Sequence, residues 1–166
     1  DDPDGETRER FSMIGATIAA FPTSRQAAAA AKAMNDPVLM GAPNVVRGGS
    51  QAGNIAAADL VAQNLCDALV SDYYYPALSR AAWKLVDMGL CDLPKAWSMI
   101  SSKPAEIMRM TDRGSLTFGR RADVIAVNAQ SRQIEMTISG GVLTYLTHGA
   151  ARRLASGQSM LDMAAE

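Results

Sequence analysis

The chain has 166 residues, 48% of them hydrophobic, and its 16 Lys and Arg against 17 Asp and Glu leave a net charge of -1. That balance excludes a broad field gathering nucleic acid or an anionic membrane, and no apolar run approaches the ~20 residues that span a bilayer. The expectation is a cytoplasmic globular protein with ample core.

The chain opens on Asp1-Asp2-Pro3-Asp4-Gly5, with no initiator Met and no targeting segment, and reads as the C-terminal part of a larger protein. Asp1 and Asp2 read as a frayed, charged terminus, and the charges of Arg8–Arg10 as a solvated helix face. Met13–Phe21 is an apolar run suited to a buried strand, stopped by Pro22. Thr23 or Ser24 then caps a helix from Ala27 to Met34, rich in alanine. Val38–Met40 predicts a second buried strand, and the glycine-rich stretch Gly41–Gly53 a loop. A helix follows from Asn54 to about Asn64. Asp67–Ser71 predicts a third strand, and Ala77–Met88 a helix ended by Gly89. Leu93–Ser101 and a short segment opened by Pro104 complete the helical part.

Alternating strands and helices imply parallel strands with covering helices. The strand starts, near positions 13, 38 and 68, match the spacing of a (β/α)8 barrel, roughly 31 residues per unit. Three such units fit the first 100 residues and eight do not. The fold class is therefore α/β: the last strands and helices of a TIM-type barrel over residues 1–111. Its open edges need a missing N-terminal half or another copy of the chain to cover them, so a homo-oligomer is expected. From 112 to 147 the pattern changes to short strands at Leu116, Ala122–Val127, Ile134–Ile138 and Val142–Leu146, punctuated by glycines. They read as strands of a small β-sandwich. Residues 148–166 form a helical tail.

Parallel barrels present chemistry at the carboxyl ends of their strands. Asp72 stands there, and a carboxylate can hold a cation or take a proton; the plain structural alternative is a turn residue. Arg47, flanked by Asn44 and Ser50, offers a planar fork suited to phosphate oxygens; a surface ion pair is its alternative. Tyr73, Tyr74 and Tyr75 line a pocket or wedge between strand and helix, and Gln51 offers hydrogen bonds to a substrate. Trp83 and Trp97 read as core, Asp123 as structural, and His148 as structural or solvent-exposed. One histidine cannot build a His-rich metal centre. The two cysteines, Cys66 and Cys91, lack CxxC spacing and read as buried free thiols.

The segments Asp112-Arg113-Gly114-Ser115-Leu116, Gly119-Arg120-Arg121-Ala122-Asp123-Val124-Ile125 and Gly140-Gly141, preceded by Lys103-Pro104-Ala105, resemble the closing signature of the amidohydrolase superfamily. Within it, Asp1-Asp2, Phe21-Pro22-Thr23, Met40–Ser50, Gly53-Asn54 and Ser71-Asp72-Tyr73 resemble the ribosyl-methylphosphonate triphosphate diphosphatase family of phosphonate metabolism. The resemblance covers the chain to about residue 145.

That resemblance implies a metal-dependent hydrolase of phosphoanhydrides. Asp72 would be catalytic and a ligand of a divalent zinc, manganese or iron ion, in a site whose other ligands lie in an N-terminal half. Asn44, Arg47, Ser50, Gln51 and Tyr73 would bind a small phosphorylated substrate, and Asp1-Asp2 would lie near the metal. Two positions depart from the family pattern: Ala20 replaces an acidic residue and Gln51 a histidine. They keep open a C–N hydrolase of cyclic amides or amino-acid derivatives. A third reading is a truncated, non-catalytic barrel fragment that self-associates.

Overall fold

The computed structural model describes residues 1–50 and 52–163, with side chains up to residue 156. The chain divides into two compact units, Asp1–Gly114 and Ser115–Glu166.

The first unit starts with helix α1 (Gly5–Met13), capped by Asp4, whose carboxylate accepts from Thr7 N at 2.8 Å. This overturns the strand expected over Met13–Phe21. Met13 and Ile14 are 78% and 79% exposed, because the segment is the end of a helix and a turn, and only Ala19–Ala20 is strand β1. The apolar run was real, but the helix capped by Asp4 takes its first residue, Met13, and a turn and irregular backbone follow over residues 14–18. α2 (Arg25–Ala33) follows, capped as expected by Ser24, whose Oγ accepts from Ala27 N at 3.1 Å. Ala27, Ala28 and Ala31 are fully buried, and such small side chains let helix and sheet backbones approach closely.

β2 (Val38–Gly41) and β3 (Ala68–Val70) complete a three-stranded parallel sheet in the order β1-β2-β3, with Ala19 beside Val38 and Leu39 beside Ala68. Parallel neighbours require crossover connections, here α2 and then α3 (Ala42–Arg47) with α4 (Ala57–Ala62). α3 occupies part of the stretch expected as a loop. Pro43 suits the first helical turn, while Ala42, Pro43 and Val45 are buried, so tertiary packing holds six residues in a helix that glycine content had disguised. Gly48, at φ 90°, ends it in the left-handed conformation.

α5 (Ala77–Asp87), α6 (Leu93–Ser98) and α7 (Ser102–Ile107) close the unit. The core joins Val38, Met40, Leu60, Leu69, Leu85 and Met99. Trp83 and Trp97 meet edge to face, ring centres 5.9 Å apart, and both are half-buried beside this core, not fully within it.

The second unit is an antiparallel sheet of β4 (Val124–Val127), β5 (Ile134–Ser139) and β6 (Val142–Leu146), in that order. Gly140 and Gly141, at φ 57° and 82°, supply the left-handed pair that a two-residue hairpin turn demands. Asp123 is structural as expected: its Oδ1 accepts from Gly140 N and from Arg121 Nε, both at 2.8 Å. Leu116 lies outside any strand and is 80% exposed, which corrects the strand expected there. α8 (His148–Met163) follows, with His148 exposed at its start. Among the described residues no helix is long and apolar enough to cross a membrane.

Candidate active-site rim

The carboxyl ends of β1, β2 and β3 form one rim. Two residues just beyond it, Phe21 after β1 and Asp72 after β3, hold left-handed backbones with φ of 57° and 52°. Such angles are uncommon for any residue with a side chain and most so for a bulky one. They gather at sites where the surrounding structure imposes them. Between the two lies Gly41, the last residue of β2. A Cβ on Gly41 would stand 3.3 Å from Phe21 Cε1 and 3.9 Å from Asp72 Oδ2. The Asp72 side chain thus leans across the end of β2 while the residue itself stays exposed to solvent.

Arg47 ends α3, and its Nη1 donates to Tyr73 Oη at 3.1 Å. Tyr73 directly follows Asp72, so this contact brings two predicted binding residues to the side of the predicted catalytic one. Asn44 serves the scaffold. Its Oδ1 accepts from Ala57 N at 2.9 Å, which satisfies the first turn of α4 where Ala56 offers no side-chain cap. Ser50 Oγ accepts from Ala52 N at 3.2 Å in a local turn. Gln51 lies outside the described residues.

Asp2 is not frayed. It is 5% exposed and its carboxylate meets Arg8 Nη1 at 3.0 Å, with Arg8 itself 2% exposed. Arg8 therefore does not belong to a solvated face, because its guanidinium is enclosed by Asp2, Asp36 and the carbonyls of Ala16 and Ile18. The Asp2 carbonyl accepts from Thr23 N at 2.9 Å, which ties the start of the chain to the segment just beyond β1. The three tyrosines are not wedged between strand and helix either: Tyr73, Tyr74 and Tyr75 are 67%, 37% and 79% exposed.

Sequence reasoning missed Gly41 as the residue that makes room for Asp72 and Phe21. It also missed Arg80 and Lys84, which the expected helix α5 turns to this end of the unit. Lys84 Nζ donates to Val46 O at 2.8 Å, satisfying a carbonyl at the end of α3. The four-residue spacing of Arg80 and Lys84 on a predicted helix was the available signal.

No protein-family model matches the chain. Over 126 residues it is 40% identical to the alpha-D-ribose 1-methylphosphonate 5-triphosphate diphosphatase of Escherichia coli (strain K12), a match covering 75% of this chain and 33% of that protein. The chain is a homologue of this diphosphatase. It spans about a third of the length of the curated relative it matches. Among solved structures, it resembles the beta-aspartyl dipeptidase of Fervidobacterium islandicum AW-1, with a TM-score of 0.54 at 18% identity over 75% of this chain and 40% of that one. An uncharacterized protein aligns with a TM-score of 0.64 at 12% identity, covering 87% and 44% of the two chains. At these identities the structures show a shared α/β fold and no activity.

The resemblance read in the sequence implies a metal. Asp72 is suited to supply one ligand, being exposed and placed at a strand end. Among the described residues no three His, Cys, Asp or Glu side chains gather to complete a site, and the Asp2 carboxylate is engaged with Arg8. The described residues alone do not assemble a metal centre.

Proposed function

We propose that the chain forms one side of the active site of a phosphoanhydride hydrolase acting on a ribosyl phosphonate triphosphate in phosphonate metabolism. The single observation that carries this reading is the 40% identity to the diphosphatase, and the arrangement of Asp72, Tyr73 and Arg47 on one rim supports it. Water attacks phosphorus, the anhydride P–O bond breaks and diphosphate leaves. Asp72 takes the proton of the attacking water. Arg47 donates N–H groups to phosphate oxygens, and Tyr73, hydrogen-bonded to Arg47, holds that guanidinium in place. A divalent zinc, manganese or iron ion, held by Asp72 together with ligands from outside this chain, would supply Lewis acidity toward a phosphoryl oxygen.

In this reading β1-β2-β3 are part of a (β/α)8 barrel, completed by an N-terminal half or another copy of the chain. The antiparallel sheet of the second unit belongs to a small β-sandwich. The test is Asp72→Asn in the complete, metal-loaded protein. Turnover of the triphosphate should fall by at least about 10²-fold with an unchanged melting temperature; normal metal content and turnover would overturn the assignment.

Ala20 favours a second reading. It is the last residue of β1 and exposed, so the rim carries no ionisable group at that position. Turnover of cyclic amides or amino-acid derivatives without turnover of triphosphates would decide for a C–N hydrolase. A monodisperse self-associated chain without metal would support a non-catalytic barrel fragment.

A further inference from the structure

The β3–α5 connection carries a second guanidinium–phenol pair, built on the residue next in sequence to the first. Arg80 Nη1 donates to Tyr74 Oη at 2.8 Å, and the Arg80 guanidinium carbon lies 5.7 Å from the centre of the Tyr74 ring. Arg80 projects from α5, whereas Arg47 approaches Tyr73 from α3. Two helices thus each deliver one arginine to one of two consecutive tyrosines, and these tyrosines follow Asp72 without a gap.

The chemistry of such a pair is one-sided. A phenol has one hydrogen to donate and lone pairs that accept. Because Tyr74 Oη accepts from Arg80, its own hydrogen is available to a third group. The remaining guanidinium N–H groups are donors as well. The pair therefore offers donors and positive charge and invites acceptor oxygens and negative charge. Several other cations of the first unit are paired with carboxylates, Arg10 with Glu6, Lys32 with Asp67 and Lys103 with Glu106, whereas Arg25 and Lys84 meet neutral oxygens, those of Gln63 and of the Val46 carbonyl. Among the described residues no carboxylate stands within ion-pair distance of Arg80; its partner is the neutral Tyr74. The residue is exposed, so its charge faces solvent.

We propose that Arg80 and Tyr74 form a phosphate-binding pair that acts together with Arg47 and Tyr73, so that the rim takes a chain of phosphates in preference to a single one. The inference rests on the phosphoanhydride reading of the rim and adds to it the residues that select for polyphosphate length. Each pair engages a different phosphate group, and an orthophosphate ion reaches only one pair at a time. A guanidinium fork matches phosphate oxygens in a way an ammonium does not, so lysine at position 80 is a poor replacement.

Calorimetric titration of inorganic triphosphate and of orthophosphate into the complete, metal-loaded protein tests this. Wild type is expected to bind triphosphate more tightly than orthophosphate. Arg80→Ala should weaken triphosphate binding about tenfold, the loss of one charge-assisted contact, and Arg80→Lys should recover only part of it. Tyr74→Phe, which keeps the ring and removes the hydroxyl, should weaken it by a smaller factor. Triphosphate affinity unchanged in both Arg80→Ala and Tyr74→Phe, with melting temperatures equal to wild type, would overturn the inference, as would equal affinity of wild type for the two anions. The phosphoanhydride reading would survive either outcome, because it stands on loss of turnover in Asp72→Asn. Conversely, weakened triphosphate binding in Arg80→Ala beside normal turnover in Asp72→Asn would retain the binding pair and remove the proposed reaction.

Discussion

Arg8 Nη1 and Asp2 Oδ2 stand 3.0 Å apart with both side chains withdrawn from water, Asp36 completing a buried cluster around the same guanidinium. The cluster joins the start of the chain, the turn before β1 and the segment before β2. Removing one member of a buried pair leaves a charge without compensation, at a cost of about 3–5 kcal/mol. Arg8→Ala is therefore expected to lower the unfolding free energy by that order in a urea titration, and Asp2→Ala by less, because Asp36 remains beside Arg8. If Arg8→Ala unfolded at the wild-type denaturant concentration, the cluster would have no stabilising role.

This cluster also shows where the sequence was opaque. Asp2 and Arg8 are six positions apart in a charged segment, and nothing local distinguishes a buried pair from a solvated one. What buries them is α1 lying on α2, a contact between elements. Misplacing the strand at Met13 hid that contact. Where local signals were decisive the reading was sound: Thr23 or Ser24 as the cap of α2, the helix from Ala77 ended by Gly89, and Gly140 and Gly141 as the break between two short strands. Asp72 was legible because β3 is a short apolar run that ends beside it. Gly41 and Arg80 were not, because they come to the rim from another strand and from a helix.

Asn44 gives a test that separates scaffold from substrate binding. Its Oδ1 satisfies Ala57 N at the start of α4. Loss of a capping acceptor costs about 1 kcal/mol, so Asn44→Ala should lower the melting temperature by a few degrees. If that is its main role, KM for the triphosphate should stay within a small factor of wild type. A large rise in KM at unchanged melting temperature would return Asn44 to the binding site.

Gly41 is expected to matter more for the rim than for the fold. Its φ of -72° suits alanine, but the added methyl would press on Phe21 Cε1 at 3.3 Å and approach Asp72 Oδ2. The Phe21 ring must move, at a cost of about 1–3 kcal/mol typical of overpacking. Gly41→Ala should therefore lose turnover out of proportion to its loss of stability. Equal turnover in Gly41→Ala and wild type would show that the space over Gly41 is not used.

Cys66 makes stability depend on alkaline pH. Its thiol is 4% exposed, and its Sγ lies 3.5 Å from Ala68 O, at the start of β3. Burial, reinforced by the negative charge of Asp67, pushes the thiol up from 9.0 to about 12. Below pH 9 the group is protonated in both folded and unfolded chains, so its contribution to stability is fully present. Between pH 9 and about 12 the unfolded chain releases the proton while the folded chain keeps it, so stability falls as pH rises. The slope from this one group approaches about 1.4 kcal/mol per pH unit. Other groups titrate in the same range, so the measurement is the difference between wild type and Cys66→Ala. The variant starts less stable and is expected to show a shallower loss from about pH 9 to 11 in parallel urea titrations. Native alkylation near about pH 8 gives an independent check. Cys91, half-buried and raised less strongly by burial and by Asp92, should react slowly, and Cys66 only once the chain unfolds. Parallel pH profiles for the two proteins, or prompt labelling of Cys66 in the native state, would mean that this thiol is open to solvent.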